Sequence, residues 1–200
     1  MNTTPTMHDW HAHYDGGRDF RPLTETERNV LSRHLALPEG EQGSRALDVA
    51  CGTGGLARFL AQEFGYRVDA VDWAESALAR AAATTSEGIA YHRLDVTSGD
   101  VAALAPHGGY RLIAMRRALA HLPDRARVMA GLAALLAPAG VLCVITPHAG
   151  RHRPDLRGIC LDDAELDQVC EGWRRAERFE AGDSTVLLLR GPGAGARRVT

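Results

Sequence analysis

The sequence predicts an α/β protein: a mostly parallel sheet covered by helices on both faces, closed at the C-terminus by an antiparallel hairpin. Three observations predict it. Short apolar runs without polar alternation, such as residues 45–50 and 141–145, read as strands buried on both faces. Segments with helical spacing of apolar residues alternate with those runs, the pattern of parallel strands joined by helical crossovers. The last two runs, 176–180 and 184–190, are linked only by Ala181-Gly182-Asp183, which suits a hairpin and is too short for a crossover.

The elements follow in order. Residues 8–23 are aromatic, histidine-rich and broken by glycines, as expected of a segment that covers something, whereas the first seven residues read as frayed. Thr24 with Glu27 three residues later is a capping box, and Val30, Leu31, His34 and Leu35 recur at helical spacing, so a helix is expected over 24–37. After a loop at 38–44, the run 45–50 ends in a glycine cluster followed by helical periodicity over 56–64: strand, tight turn, helix. The unit repeats in outline, with strand 66–71, alanine-rich helix 74–83, strand 90–94, short helix 97–104, strand 111–115, helix 124–136 and strand 141–145. An arginine-rich loop over 148–158 leads to an amphipathic helix over 162–174 and then to the hairpin, and 191–200 reads as a mobile tail.

Composition narrows the function. At 200 residues, with 45% hydrophobic and 24% charged side chains, the chain can build an ordinary core. All 23 basic residues besides histidine are arginine, which excludes Schiff-base lysine chemistry and a Walker-type phosphate loop. A net charge of −2 without a basic block gives no nucleic-acid footprint. Cys51, Cys143, Cys160 and Cys170 have no C-x-x-C spacing and are expected to be reduced thiols of a cytoplasmic protein, and residues 1–10 show no secretory pattern. The 17-residue uncharged run 131–147 holds Pro138-Ala139-Gly140 at its middle and reads as two elements, so no membrane span is expected.

In an open parallel sheet, ligands bind beyond the carboxyl ends of the strands. The first such end is Asp48-Val49-Ala50-Cys51-Gly52-Thr53-Gly54-Gly55, where glycines let the backbone approach a ligand and the next helix offers free N–H groups. Gly52-x-Gly54-x-x-Ala57 also matches the dinucleotide fingerprint, so the glycines alone do not choose a cofactor. Asp72 ends the second strand 20 residues after Gly52, where a carboxylate can accept both ribose hydroxyls. Asp95 ends the third, where it can accept an adenine amine. Asp48 precedes the glycines, awkward beside a pyrophosphate and suited to a cationic amino-acid head. Three acids and no phosphate-seeking base fit a cationic, phosphate-free cofactor such as S-adenosyl-L-methionine.

Over about residues 45–145 the chain resembles the class I S-adenosylmethionine-dependent methyltransferases. The resemblance rests on an ordered set: L-D-V-A-C-G-T-G at the first strand and turn, V-D-W, L-D-V, A-H-L-P-D after the fourth strand and L-A-P-A-G-V-L before the fifth. Residues 165–180 resemble, more narrowly, the end of the small tellurite-resistance and thiol-type methyltransferases. The resemblance implies a Rossmann-like three-layer sandwich with a seven-stranded sheet whose C-terminal hairpin supplies the antiparallel strand. It implies Asp48, Ala50, Cys51, Gly52 and Gly54 at the methionine end, Asp72 at the ribose, Trp73 on the adenine, Asp95 and Val96 at its edge, and Arg116 behind the methionine. The chain departs from the family at Ala50, where a glycine is usual, and at Tyr110-Arg111, where an aspartate commonly follows the aromatic. An N-P-P-Y motif is absent after the fourth strand, which disfavours DNA-base methylation.

The expected architecture is a single methyltransferase domain over 1–200: an N-terminal lid and helix at 1–37, a cofactor-binding core at 45–147, a substrate loop, helix and hairpin at 148–190, and the tail. In-line methyl transfer draws mainly on alignment, and a base is needed only if the acceptor arrives protonated. His121 is the first candidate base and His148 the second. In the lid, Tyr14 and Arg21 are expected over the cofactor's carboxylate and Trp10, His11 and His13 on the acceptor side. His11-x-His13 lacks a third ligand, so no metal is expected. Arg117, Arg151, His152 and Arg153 make the mouth basic and would draw a small anionic acceptor. The expected partner is a small-molecule substrate, with the chain a monomer or homodimer. The alternatives are a repurposed S-adenosylmethionine-binding domain and, more remotely, an NAD-dependent oxidoreductase.

Overall fold

The chain's architecture is given by a computed structural model describing residues 7–19, 21–84, 87–98 and 100–193. Helix α1 (Met7–Asp15) and helix α2 (Glu25–Leu35) precede the alternating core. That core runs β1 (Arg45–Val49), α3 (Gly55–Phe64), β2 (Arg67–Asp72), α4 (Glu75–Ala82), β3 (Ile89–Arg93), β4 (Tyr110–Arg116), α5 (Arg125–Ala134) and β5 (Leu136–Pro147). Helix α6 (Asp163–Cys170) and the strands β6 (Trp173–Ala181) and β7 (Ser184–Pro192) complete it. The seven strands form one sheet in the order β3-β2-β1-β4-β5-β7-β6. Pairing is parallel from β3 to β5, and β7 runs antiparallel to both β5 and β6.

Strand alternation explains both buried faces. Along β4, Leu112 and Ala114 pack with Leu31 of α2 and Leu56 and Leu60 of α3. Ile113 and Met115 face the other way, toward Val128 and Leu132 of α5 and Leu166 of α6. The chain leaves β1 toward β2 and β3, then returns to lay β4 on β1's other side. That reversal opens a crevice at the carboxyl ends of β1 and β4, where ligands of doubly wound sheets sit.

The predicted helix over 24–37 starts as expected: Thr24 Oγ1 accepts from the Glu27 amide, and the Glu27 carboxylate accepts from the Thr24 amide. Several boundaries differ. Residues 7–15 form a helix packed on α4, where an irregular lid was expected. Of 97–104, only Asp100–Leu104 is helical, as a 3-10 turn. The loop 148–158 carries two further 3-10 turns, Ala149–Arg151 and Pro154–Ile159. The uncharged run 131–147 divides between the end of α5 and β5, and Pro138 is tolerated where the β4–β5 register shifts. Among the described residues, no helix is long and apolar enough to cross a membrane.

The last helix stops at Cys170 rather than at residue 174, because Gly172 turns the chain at φ 79° and Trp173 already pairs with Pro192. Strand β6 is the sheet edge, and its exposed Arg174, Arg175 and Glu180 give it a polar text that blunts the edge. The predicted tail begins inside β7, and residues 194–200 lie outside the described residues, as do 1–6 of the N-terminal segment.

Candidate active site

A cavity of about 490 Å³ occupies the crevice, within the range of small-molecule sites. Its floor is the β1–α3 turn. Ala50 has φ 55°, the left-handed region that an alanine enters at a cost of about 1–2 kcal/mol. The Cys51 amide donates to Val71 O, locking the turn to β2. Gly52 must be glycine: its φ is 53° and a Cβ there would meet Tyr14 Oη at 2.8 Å. Gly54 begins α3 below the cavity wall, pressed by Tyr91 and Arg58.

Asp48 is the most informative group. It is 1% exposed on β1, lines the cavity, and its Oδ2 has no hydrogen-bond partner. Burial pushes its carboxyl up to about 8, against the Ala57 amide, which favours the ionised form. Asp72 is better satisfied: Oδ2 accepts from Gly52 N at 2.8 Å and Oδ1 from Ala74 N at 2.9 Å, while burial raises its pKa. Each Asp72 oxygen keeps a lone pair for a further donor. Asp95 Oδ1 accepts from the Thr97 amide and hydroxyl at 2.8 and 2.7 Å, which fixes the carboxylate at the rim. Cys51 is inert as a nucleophile, since burial and then Asp48 and Asp72 hold its thiol far above the usual range.

Tyr14 is buried and Trp10 lies against it, so α1 forms one wall of the cavity. Across from it, the 3-10 turn Leu119–His121 presents His121, whose ring stands edge-on to Trp10 at 5.2 Å. Burial, then Arg125, lowers the His121 pKa, so the imidazole is neutral at physiological pH and able to accept a proton.

Fourteen of the residues anticipated from the sequence line the cavity: Trp10, Tyr14, Arg21, Asp48, Ala50, Cys51, Gly52, Asp72, Trp73, Asp95, Val96, Arg116, Arg117 and His121. Others lie elsewhere, for identifiable reasons. His11 is held against α4, its carbonyl accepting from Ser76 Oγ at 3.2 Å. His13 stands edge-on to Trp10 and Tyr14, its ring 5.7 and 5.1 Å from theirs. His148 is committed on both nitrogens: Nδ1 accepts from Gly150 N, and Nε2 lies 3.3 Å from Asp163. Arg151 binds Ser184 O and Glu180 on the hairpin. Arg116 reaches the cavity with its donors spent, on Glu27 at 3.0 and 3.3 Å and on the carbonyls of Arg21 and Pro22. It ties the lid segment to β4 and is not free for a carboxylate.

The sequence reading missed Arg58, Thr53 and Asp19. Arg58, one turn into α3, lines the cavity and donates to Thr53 O at 2.8 Å; Thr53 Oγ1 donates to Asp19 at 2.7 Å. The only sequence signal for Arg58 was its place four residues after Gly54 on a helix whose N-terminus faces the ligand.

A methyltransferase-domain family matches residues 46–140 of the chain, the stretch that holds β1 to the start of β5 and the three acids. Over these residues the chain is similar to methyltransferase domains. It is 30% identical over 134 residues to a ubiquinone biosynthesis O-methyltransferase of Burkholderia thailandensis, covering 65% of this chain and 55% of that protein. A protein of the same description from Sodalis glossinidius is 33% identical over 125 residues, covering 61% and 49%. The chain thus spans about half the length of the curated relatives it matches. Among solved structures, a SAM-dependent methyltransferase from Aquifex aeolicus shares the fold at TM-score 0.70 and 17% identity, covering 89% of this chain and 96% of that one. A phosphoethanolamine N-methyltransferase of Haemonchus contortus superposes at TM-score 0.64 and 19% identity, covering 87% and 43%. The narrower resemblance of residues 165–180 to tellurite-type enzymes falls beyond the matched domain.

Proposed function

We propose that the protein transfers the methyl group of S-adenosylmethionine to an oxygen atom of a small molecule. The observation that carries it is Asp48 Oδ2, a buried carboxylate oxygen without a partner, aimed into a cavity rimmed by two further acids. An ammonium would favour ionisation of that carboxyl and pair with it, whereas a phosphate would offer the ionised form no compensation. When bound, S-adenosylmethionine supplies a methyl whose bond to sulfur breaks as the bond to the acceptor oxygen forms, the electron pair staying on sulfur.

The chain's own residues do the rest. Asp48 would hold the cofactor's ammonium, Asp72 its ribose hydroxyls, and Trp73 and Asp95 the adenine face and edge. Arg58, with Arg116 occupied by Glu27, is the cation placed for the cofactor's carboxylate. Trp10 and Tyr14 shut the cavity on the lid side and exclude water. His121 would take the hydroxyl proton of the acceptor and pass it to solvent. Oxygen is favoured over sulfur or nitrogen by the relatives' printed O-methyltransferase activity, and the neutral His121 supplies the base that a protonated hydroxyl needs.

The test is turnover: the protein with S-adenosylmethionine and a panel of hydroxylated small molecules, reading S-adenosylhomocysteine and the methyl ether by mass. Methyl ether formation that falls at least tenfold in Asp72→Ala supports the reading. Tight cofactor binding with no product on any oxygen, nitrogen or sulfur acceptor would favour a repurposed binding domain.

A further inference from the structure

Arg117 is a cavity residue whose chemistry the proposed cofactor and base leave unused. Its side chain is 9% exposed, yet it lines the cavity. One end of the guanidinium is anchored: Nη2 donates to Asp183 at 3.1 Å and to Ser184 Oγ at 3.3 Å, at the β6–β7 turn. Its Nε–H is buried and has no partner. A buried guanidinium donor left without an acceptor costs on the order of 1–3 kcal/mol, so such a group persists where an acceptor arrives from elsewhere.

The backbone makes the same point independently. Ala50 and Arg117 are the two non-glycine residues with left-handed φ among those described, both at 55°, and both line this cavity. Strain of that kind survives where surrounding structure holds it for function. At Arg117 the turn is held by its own amide, which donates to Ile145 O at 2.7 Å, and by Asp183 gripping the side chain. A side chain fixed at both ends is aimed, not adrift. The conformation carries the side chain off the end of β4, beside the turn that presents His121.

The remaining wall on this side is apolar and aromatic: Trp10, Leu122 and Pro123. Arg21, at the rim, is 76% exposed and shares Asp183 with Arg117 at 3.5 Å, so a second cation stands over the entrance. Arg151 and Arg153, which the sequence placed at the mouth with Arg117, are instead paired with Glu180 and Asp155.

We infer that the acceptor is a small aromatic hydroxy acid whose carboxylate is bound by Arg117 while its hydroxyl faces His121. The inference rests on the methyl-transfer reading for the hydroxyl and on Arg117's geometry for the carboxylate. Trp10 and Pro123 give the cavity an apolar lining for a ring, and the Nε–H that Arg117 leaves unpaired can donate a charge-assisted hydrogen bond to a carboxylate.

The experiment compares hydroxybenzoate isomers with their methyl esters, by calorimetry in the presence and absence of S-adenosylhomocysteine. The expected result is that at least one acid binds at least about tenfold more tightly than its ester. In Arg117→Gln that ratio falls to near one, and in Arg117→Lys, which keeps the charge and loses the Nε donor, it falls part-way. Circular dichroism confirms that the variants fold, and should Gln fail to fold, the Lys variant carries the comparison. Esters binding as well as acids to the parent protein, or an acid preference that survives intact in the variants, overturns the inference. Failure of S-adenosylhomocysteine to bind overturns the methyl-transfer reading instead, while the acid-to-ester ratio measured without it still judges Arg117.

Discussion

Asp48→Asn should convert a stability that falls with pH into one that does not, and in doing so isolates the group proposed to hold the cofactor's ammonium. In the unliganded fold, burial lifts the Asp48 carboxyl from its ordinary 3.8 to about 8. Between those values the folded chain holds a proton that the unfolded chain has released, so unfolding free energy declines as pH rises. The limiting slope for one such proton is about 1.4 kcal/mol per pH unit. From pH 5 to pH 7 the parent protein should lose up to about 3 kcal/mol through this group. Asparagine has the same shape and no charge, so the variant escapes that loss, and in the difference between the two proteins every other titrating group cancels to first order. Urea unfolding at four pH values from 5 to 8, at fixed ionic strength, gives the difference directly. The variant should exceed the parent by about 1–2 kcal/mol at pH 5 and by about 5 kcal/mol at pH 8. A difference that stays flat with pH would show that Asp48 is ionised in the free protein, and the account of its unpartnered oxygen would fall.

Other outcomes follow from the same geometry. Ala50→Gly removes a left-handed alanine and should raise stability by about 1 kcal/mol, seen as a higher melting temperature; a drop in melting temperature would show that the turn is not strained. His121→Gln should cut kcat on hydroxyl acceptors by about 10²- to 10⁴-fold. Because burial lowers the His121 pKa, the parent's rate should be sustained through neutral pH and fall only below the ordinary histidine value, a dependence the Gln variant lacks. Glu27→Ala strands the Arg116 guanidinium in a site where its side chain is 11% exposed and should cost about 3 kcal/mol, measured by denaturant unfolding; a loss under about 1 kcal/mol would mean that Arg116 finds another partner.

How much of this could be read from the sequence depended on whether the signal was local. The strands, the glycine turn and the acids at Asp48, Asp72 and Asp95 follow from apolar periodicity and from position at strand ends, properties of short stretches of chain. Arg116 shows what local reading misses: its partner Glu27 lies 89 residues away, and nothing near either residue announces the pair. His148 and Arg151 sit where a mouth would be, yet the partners that capture them, Asp163 of α6 and Glu180 of the hairpin, lie more than ten positions further on. Helix α1 carries too little apolar contrast between its faces to be seen as a helix, and it forms one only against α4. The first residues of β6, Trp173 and Arg174, read as the tail of a helix because an edge strand exposes charge on both sides.

The central claim is that this cavity takes a cationic, phosphate-free adenosine cofactor. Calorimetry with S-adenosylmethionine and with NAD, at pH 7 in two buffers of different ionisation enthalpy, tests it most directly. S-adenosylmethionine should bind at one site with release of protons, because Asp48 must ionise to meet the ammonium, and NAD should bind at least a hundredfold more weakly. NAD binding as tightly, or S-adenosylmethionine binding with no proton released, would contradict the account.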